Sequence, residues 1–186
     1  MHKRKNYLLY SLIIPIIVLT FSCNDRKELD KIIGNSICCD SLLLIKGKKC
    51  IDDVNTSSNG YSVFLWIDST KCIPCEMNYL YGYESFSNRC DKIIGHAGSM
   101  KVILSPGKNY DKDMIVNEIS GQNFSFDILV DYDNTFNSIF NCNNRIILII
   151  RNGVIINYYY LDNLKRDQHT VNECLKELEK LNIGQE

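Results

Sequence analysis

Two patterns of hydrophobic residues alternate along the chain from about residue 41 onward. Continuous apolar runs rich in β-branched and aromatic residues indicate buried strands, whereas apolar residues spaced three or four apart indicate helices. Strands are predicted at 41–45, 61–67, 101–104, 126–130, 145–150 and 154–160. Helices are predicted at 76–86, at 111–119 with Met114, Ile115 and Ile119 on one face, at 134–140 and at 170–181.

The order of these elements predicts a single α/β domain at 41–186. Alternating strands and helices place the helices on the faces of a sheet. Asn152-Gly153 is a signal for a two-residue hairpin turn. A hairpin adds antiparallel pairing to the parallel pairing of the strand–helix units, so we expect a mixed central sheet flanked by helices.

Residues 1–22 have a pattern that is typical of an export signal. Basic residues at 3–5 precede an apolar run at 7–21, which is shorter than the ~20 residues of a membrane-spanning helix. The segment LTFSC at 19–23 resembles a loose bacterial lipobox, which implies lipidation of Cys23 and a tether at 23–40. An uncleaved N-terminal anchor and a plain signal peptide are the alternatives.

Each of these alternatives places the rest of the chain outside the cytoplasm, in the cell envelope, facing the periplasm or the cell surface. With a lipidated Cys23, the lipid membrane is an expected partner. Nine cysteines are compatible with disulfides in such an oxidising compartment. A formal net charge of −1 gives no electrostatic footprint for nucleic acid, so no nucleic-acid partner is expected.

The motif Cys72-Ile73-Pro74-Cys75 follows the second predicted strand and opens a predicted helix. Two cysteines three apart across a first helical turn can close a small disulfide ring. The unpaired N–H groups and the helix dipole at this position favour the thiolate, which is the nucleophile in disulfide exchange. Lys71 adds a positive charge, and Pro74 suits an early helical position. The motif therefore predicts a redox-active pair.

The stretch VFLWIDSTKCIPCEMN at 63–78 resembles the strand, CxxC motif and helix of thioredoxin-fold proteins. The blocks FDILVDYDNTFNSIF and RIILIIRNGVIINYYY resemble membrane-attached thiol-disulfide interchange lipoproteins of the TlpA/ResA type. This resemblance implies a thioredoxin-like fold, with Cys72 attacking and Cys75 resolving. It also implies protein thiols or disulfides and a membrane redox donor as partners, and no cofactor is indicated.

The chain departs from this family at three positions. The family usually has a cis-proline near the position of Asn144 or Arg145, and no proline stands there. Lys71 replaces the usual aromatic residue before the first cysteine. An acidic residue often lies beneath the pair, but the matching strand position falls near Trp66. Lys71, Pro74, Asn144 and Arg145 are therefore candidates for the substrate loop or for tuning of activity.

The main hypothesis is an exported, lipid-anchored enzyme, a thiol-disulfide oxidoreductase that uses Cys72 and Cys75. One alternative is a non-catalytic thioredoxin-like binding module with a structural disulfide. Another is a metal-handling protein, since soft thiolates at Cys72, Cys75 and Cys142 suit Cu(I) or zinc, although no metal ligand is assigned. For Cys142 a structural role is favoured over a role as a third redox cysteine or a metal ligand. The other cysteines are also predicted to be structural: Cys38, Cys39, Cys50, Cys90 and Cys174.

Overall fold

The computed structural model describes residues 30–37, 42–46, 49–51, 60–69, 72–96, 98–140, 145–161 and 164–183. The strands are β1 (Leu42–Lys46), β2 (Lys49–Ile51), β3 (Tyr61–Ser69), β4 (Met100–Pro106), β5 (Asp127–Asp131), β6 (Arg145–Arg151) and β7 (Val154–Leu161). The helices are α1 (Ile73–Leu80), α2 (Glu84–Ile94), α3 (Lys112–Ser120), α4 (Thr135–Phe140) and α5 (Leu164–Ile183), with 3₁₀ turns at Asp30–Ile32 and Tyr81–Tyr83.

The strands form one sheet in the order β2-β1-β5-β4-β3-β6-β7. β3 pairs in parallel with β4, and β4 pairs in parallel with β5. β6 runs antiparallel to both β3 and β7, and β1 runs antiparallel to both β2 and β5. The predicted mixed sheet is therefore confirmed. β3 is buried along nearly its whole length, as a continuous apolar run requires.

Side chains alternate between the two faces of the sheet, and each face has its own core. On β3, Val63 and Leu65 point to the face covered by α1, α2, α3 and α5. Phe64 and Trp66 point to the other face, which is covered by α4 and the segment 30–37. We call these the four-helix face and the α4 face.

The hairpin between β6 and β7 turns at Asn152 and Gly153, which have φ angles of 51° and 78°. Both residues adopt the left-handed conformation that a two-residue hairpin turn requires, so the predicted turn is confirmed. Asn152 also fixes the turn, because its side-chain oxygen accepts a hydrogen bond from the Gly60 N–H at 3.0 Å.

Residues 30–37, which lie within the predicted tether, pack on the hairpin. Ile32 is buried in the core of the α4 face. The Gly34 N–H donates to the Ile155 carbonyl, and the Ile155 N–H donates to the Asn35 carbonyl. Residues 30–37 therefore pack as part of the folded structure. The domain boundary predicted at residue 41 lies outside the described residues and stays a prediction.

Two predicted helices have the wrong bounds. The helix predicted at 76–86 is two helices joined by the turn Tyr81–Tyr83, because α1 begins at Ile73 and α2 extends to Ile94. The helix predicted at 170–181 begins six residues earlier, at Leu164. None of the helices in the described residues is long and apolar enough to span a membrane.

The face predicted for the helix at 111–119 is correct for two of its three residues. Ile115 and Ile119, four residues apart, are buried against the sheet. Met114 is 48% exposed, because a single residue turns the helix by about 100° and moves this side chain to the edge of the apolar stripe.

Candidate functional site

The cysteine pair follows the interior strand β3 in the sequence and lies at the start of α1. Cys72 and Cys75 form a disulfide, with their Cα atoms 5.3 Å apart. Cys72 is the N-cap residue of α1, and its sulfur accepts a hydrogen bond from the Cys75 N–H at 3.2 Å. Pro74 lies in the first turn, where the missing N–H leaves no helical hydrogen bond unmade. The sulfurs therefore lie at the electropositive end of the helix.

The disulfide lies at the surface. Cys75 and Pro74 are exposed, whereas Cys72 is half-buried. Tyr79, one helical turn beyond Cys75, is 40% exposed. The disulfide is therefore accessible from solvent, and an aromatic side chain lies one helical turn away from it.

Arg145 forms an ion pair with Glu76, the residue that follows Cys75. Its Nη2 and Nε atoms both donate to Glu76 Oε2, at 2.8 Å and 3.2 Å. Both side chains are only 18% exposed. The Arg145 guanidinium also lies 4.8 Å from the centre of the Tyr79 ring. The structure thus brings the predicted residue Arg145, at the start of β6, against the helix that carries the pair.

The same ion pair affects the pKa of Arg145. Burial on its own lowers the pKa of Arg145, but the hydrogen bond and the charge of Glu76 outweigh it and raise the pKa. The guanidinium therefore stays charged and offsets the negative charge of Glu76. Without this offset, a carboxylate next to Cys75 disfavours a thiolate at the pair.

Tyr110, in the loop between β4 and α3, also reaches the first turn of α1. The Ile73 N–H donates to its hydroxyl oxygen at 3.3 Å. Nothing in the local sequence around Tyr110 indicates this contact. The parallel pairing of β3 with β4 is the signal that could have found it, because the loops after two parallel neighbours leave the same edge of the sheet.

A buried carboxylate, Asp131, lies at the end of β5. Asp131 Oδ2 accepts hydrogen bonds from the Ser105 hydroxyl and the Phe136 N–H, both at 2.8 Å. Its Oδ1 accepts from the Thr135 N–H at 2.9 Å. The Trp66 indole N–H donates to the same Ser105 hydroxyl at 2.8 Å. These bonds cap α4 and join it to the sheet, which gives Asp131 a structural role.

A cavity of about 200 Å³ lies between the Tyr81–Tyr83 turn, α2 and α5, beyond the C-terminal end of α1. Tyr79 lines one side of this cavity. Within it, the Tyr83 hydroxyl donates to Asp167 at 3.3 Å. Burial and the nearby Asp167 carboxylate raise the pKa of Tyr83, so this hydroxyl stays protonated.

Two free cysteines lie in the core of the four-helix face. Cys90 on α2 and Cys174 on α5 are both 0% exposed. Burial raises the pKa of both thiols, that of Cys174 to about 12. Neutral, inaccessible thiols of this kind are poor nucleophiles.

Several predicted residues lie outside the described part of the chain: Lys71, Asn144, Cys142, Cys23, Cys38 and Cys39. The side chain of Cys50 is not described either, although its backbone belongs to β2. Within the described ranges, no group of three or more His, Cys, Asp or Glu residues could hold a metal ion. The same ranges contain no cis peptide bond.

Comparison with known proteins gives matches among solved structures alone, because no family model and no curated protein matches the chain. Peroxiredoxin Q from Xanthomonas campestris has a TM-score of 0.53 at 12% identity, covering 81% of this chain and 98% of that chain. A PrxQ mutant from Xylella fastidiosa has a TM-score of 0.54 at 13% identity, covering 80% and 95%. Reduced Prx3 from Vibrio vulnificus has a TM-score of 0.55 at 14% identity, covering 79% and 97%.

These likenesses establish the fold. Peroxiredoxins have a thioredoxin-like fold, and at 12–14% identity the similarity extends to the fold alone. The predicted thioredoxin-like fold is confirmed, and the Cys72–Cys75 pair is present as a disulfide. The narrower TlpA/ResA type stays a prediction. This chain has a thioredoxin-like fold, with a disulfide at the start of its first α-helix.

Proposed function

We propose that the chain is a thiol-disulfide oxidoreductase that exchanges its Cys72–Cys75 disulfide with protein thiols or disulfides. One observation carries this proposal: the disulfide lies at the exposed N-terminus of α1, the helix that follows the interior strand β3. Helix amides and the helix dipole stabilise a thiolate there, and a sulfur with thiolate character reacts fastest in exchange.

In the reducing direction, the Cys72 thiolate attacks one sulfur of a substrate disulfide. A mixed disulfide forms, and the other substrate sulfur leaves as a thiolate. The Cys75 thiolate then attacks the Cys72 sulfur, which reforms the Cys72–Cys75 bond and releases the second substrate thiolate. Two electrons pass from the pair to the substrate, and a membrane redox donor returns them by the reverse exchange.

The exposure of the two cysteines bears on which sulfur a partner attacks. The resemblance assigns attack to Cys72, but Cys75 is the more exposed residue in the oxidised protein. Trapping the mixed disulfide with Cys72→Ser and Cys75→Ser variants separates the two roles. The variant that keeps the attacking cysteine accumulates the mixed disulfide with a partner.

The reduction potential of the pair tests the proposal. The full chain in detergent is equilibrated with glutathione redox buffers, and the Cys75→Ser variant shows which signal comes from the pair. Exchanging pairs of this fold have potentials of about −120 to −270 mV, whereas structural disulfides usually lie below about −300 mV. We expect a reversible value in the first window.

A pair that resists reduction until the protein unfolds contradicts the enzyme proposal. That outcome favours the alternative of a binding module with a structural disulfide. Tight binding of Cu(I) or zinc by the reduced protein, lost in Cys142→Ser, favours the metal-handling alternative instead.

Peroxide reduction is a second candidate function. It is favoured by the identity of the matched structures, which are peroxiredoxins, one of them described with alkyl peroxide reduction activity. In this reaction a thiolate attacks the peroxide and becomes a sulfenic acid, an alcohol leaves, and the second thiol forms the disulfide with release of water. Rapid mixing of the reduced protein with an alkyl hydroperoxide or with a protein disulfide shows which substrate oxidises the pair faster.

The anchor at Cys23 supplies the proposed location. The charged, apolar and small-residue pattern of residues 1–22 supports export, and Cys23 supports lipid attachment. We expect metabolically supplied fatty acid to label the wild-type chain, and Cys23→Ser to lose the label and leave the membrane fraction. Equal labelling of both chains would contradict lipidation at this position.

A further inference from the structure

Tyr110 approaches the first turn of α1 from a neighbouring loop. β3 and β4 run in parallel, and their last paired residues are Ser69 and Pro106. The loops that follow them leave the same edge of the sheet, one toward the cysteine pair and the other toward Tyr110. The Tyr110 N–H donates to the Gly107 carbonyl at 3.1 Å, which fixes the loop. Its ring is half-buried against the core of the four-helix face.

The contact itself joins the phenol to the residue that follows Cys72. The Ile73 N–H donates to the Tyr110 hydroxyl oxygen at 3.3 Å. A tyrosine hydroxyl accepts through its oxygen and also carries one proton that it can donate. Because the oxygen is fixed by Ile73, this proton is held close to the helix start, where Cys72 is the N-cap residue.

Reduction of the disulfide changes the charge of the Cys72 sulfur at the start of α1. In the oxidised protein the Cys72 sulfur is neutral and bonded to Cys75. In the reduced protein the sulfur carries negative charge and accepts hydrogen bonds strongly, because bonds to a charged partner are stronger than neutral ones. A phenol that donates to this sulfur stabilises the reduced state more than the oxidised state.

We propose that Tyr110 is a positioning residue of the redox site, which orders the first turn of α1 and donates its hydroxyl proton to the Cys72 thiolate in the reduced protein. The inference rests on the proposed thiol-disulfide exchange and names a residue that tunes it. By stabilising the reduced state, Tyr110 raises the reduction potential of the pair and increases the thiolate fraction of Cys72 at neutral pH.

The test compares Tyr110→Phe with Tyr81→Phe in the full chain. Tyr81 is a matched control, because its hydroxyl also makes one hydrogen bond, to the Gln122 side chain, away from the pair. We expect Tyr110→Phe to shift the equilibrium with glutathione about tenfold toward the disulfide, a fall in potential of about 30 mV. Tyr81→Phe leaves the equilibrium unchanged.

A second measurement separates failure of this inference from failure of the proposed function. The pH dependence of Cys72 alkylation, read by mass spectrometry of the peptide that contains it, is titrated in a reduced Cys75→Ser background, which requires no exchange activity. Tyr110→Phe should move the appearance of the thiolate to higher pH. If the wild-type pair does not exchange with glutathione, the proposed function fails, while this titration still decides whether Tyr110 contacts the thiolate. An unchanged titration overturns the inference even where exchange is normal.

Site-specific replacement of Tyr110 by 3-fluorotyrosine distinguishes donation from a structural role. Fluorine makes the phenol a stronger donor and a weaker acceptor. Donation to the thiolate therefore predicts a higher potential than in the wild type. A hydroxyl that only accepts from Ile73 predicts no rise, and that result overturns the proposal.

Discussion

At the scale of single residues, Glu76 and Arg145 form an ion pair on the helix that carries the cysteine pair. The two side chains are 69 positions apart in the sequence and meet at 2.8 Å. Arg145 also lies on the face of Tyr79, a cation–π contact that holds the guanidinium in place. The two opposite charges nearly cancel, so the positive end of α1 still favours negative charge on the sulfurs.

Replacing Arg145 by methionine should leave a half-buried carboxylate unpaired next to Cys75. The negative charge disfavours the thiolate, so the reaction of reduced Cys72 with iodoacetamide at neutral pH should slow by roughly fivefold. Alkylation rates measured at low salt check this expectation.

Glu76→Gln should change the alkylation rate of reduced Cys72 in the opposite direction. It removes the negative charge and leaves Arg145 beside the pair, so alkylation should become faster than in the wild type. The double variant with both substitutions should return close to the wild-type rate. A parallel change in both single variants would show that packing, rather than charge, controls the thiolate.

At the scale of elements, α4 depends on Asp131 for its N-terminus. The carboxylate accepts from two helix amides and from Ser105, and it is fully buried. A buried cap differs from an exposed one, because water cannot replace a lost partner.

Asp131→Asn should therefore destabilise the fold by about 3 kcal/mol. The asparagine NH₂ group replaces one acceptor oxygen and faces the N–H and hydroxyl groups that donate to Asp131. Asp111→Ala is the matched variant. Asp111 caps α3 at the surface, accepting from the Met114 N–H at 2.8 Å, and its loss should cost only about 1 kcal/mol. Urea denaturation followed by circular dichroism measures both. Equal losses would argue against a special role for the buried site.

The strands of this domain were predictable from the sequence because their apolar runs are continuous. The run 145–150 and the Asn152-Gly153 turn identify β6 and the hairpin from local residues alone. β2 was missed, because three residues form a strand only by pairing with β1. The split of the first predicted helix was also missed, since a 3₁₀ turn at Tyr81–Tyr83 keeps helical periodicity.

The candidate site was predictable only in part. Cys72, Pro74 and Cys75 lie within four consecutive residues, so their spacing across a helix start is visible in the sequence. Arg145 was predicted from the resemblance, but its ion pair with Glu76 depends on antiparallel pairing of β6 with β3. The contact of Tyr110 depends likewise on a neighbouring strand. Contacts between distant segments need the sheet order, which the sequence pattern does not specify.

At the scale of the whole molecule, the two faces of the sheet differ in what they bury. The four-helix face encloses two free thiols, Cys90 and Cys174, on helices that pack together. Their raised pKa values mean that the folded state keeps both thiols neutral under conditions that ionise them in the unfolded chain.

Stability should consequently fall at alkaline pH. Below the ordinary thiol pKa of 9.0, both states hold neutral thiols and this stabilisation is fully present. Between 9.0 and about 12, Cys174 ionises only in the unfolded chain, so the free energy of unfolding falls by about 1.4 kcal/mol per pH unit. Cys90 acts in the same direction.

Urea denaturation at several pH values above 9.0 measures this slope. A reduced background with Cys72→Ser and Cys75→Ser avoids disulfide scrambling. Cys174→Ala in that background should reduce the slope, whatever its effect on absolute stability. An identical slope in both chains would show that Cys174 does not titrate differently in the two states.

Trp66, which donates a hydrogen bond to Ser105, is an intrinsic fluorescence probe of the protein. The chain contains a single tryptophan, fully buried, with its ring 4.8 Å from that of Phe140. All indole emission therefore comes from one place on the α4 face, on the strand that ends at the cysteine pair but on the side of the sheet away from α1. A shift of that emission to longer wavelength reports hydration of this core. Tryptophan emission and thiol content can be followed in one sample. An emission spectrum that stays constant while the disulfide is reduced would show that the core around Trp66 does not change on reduction.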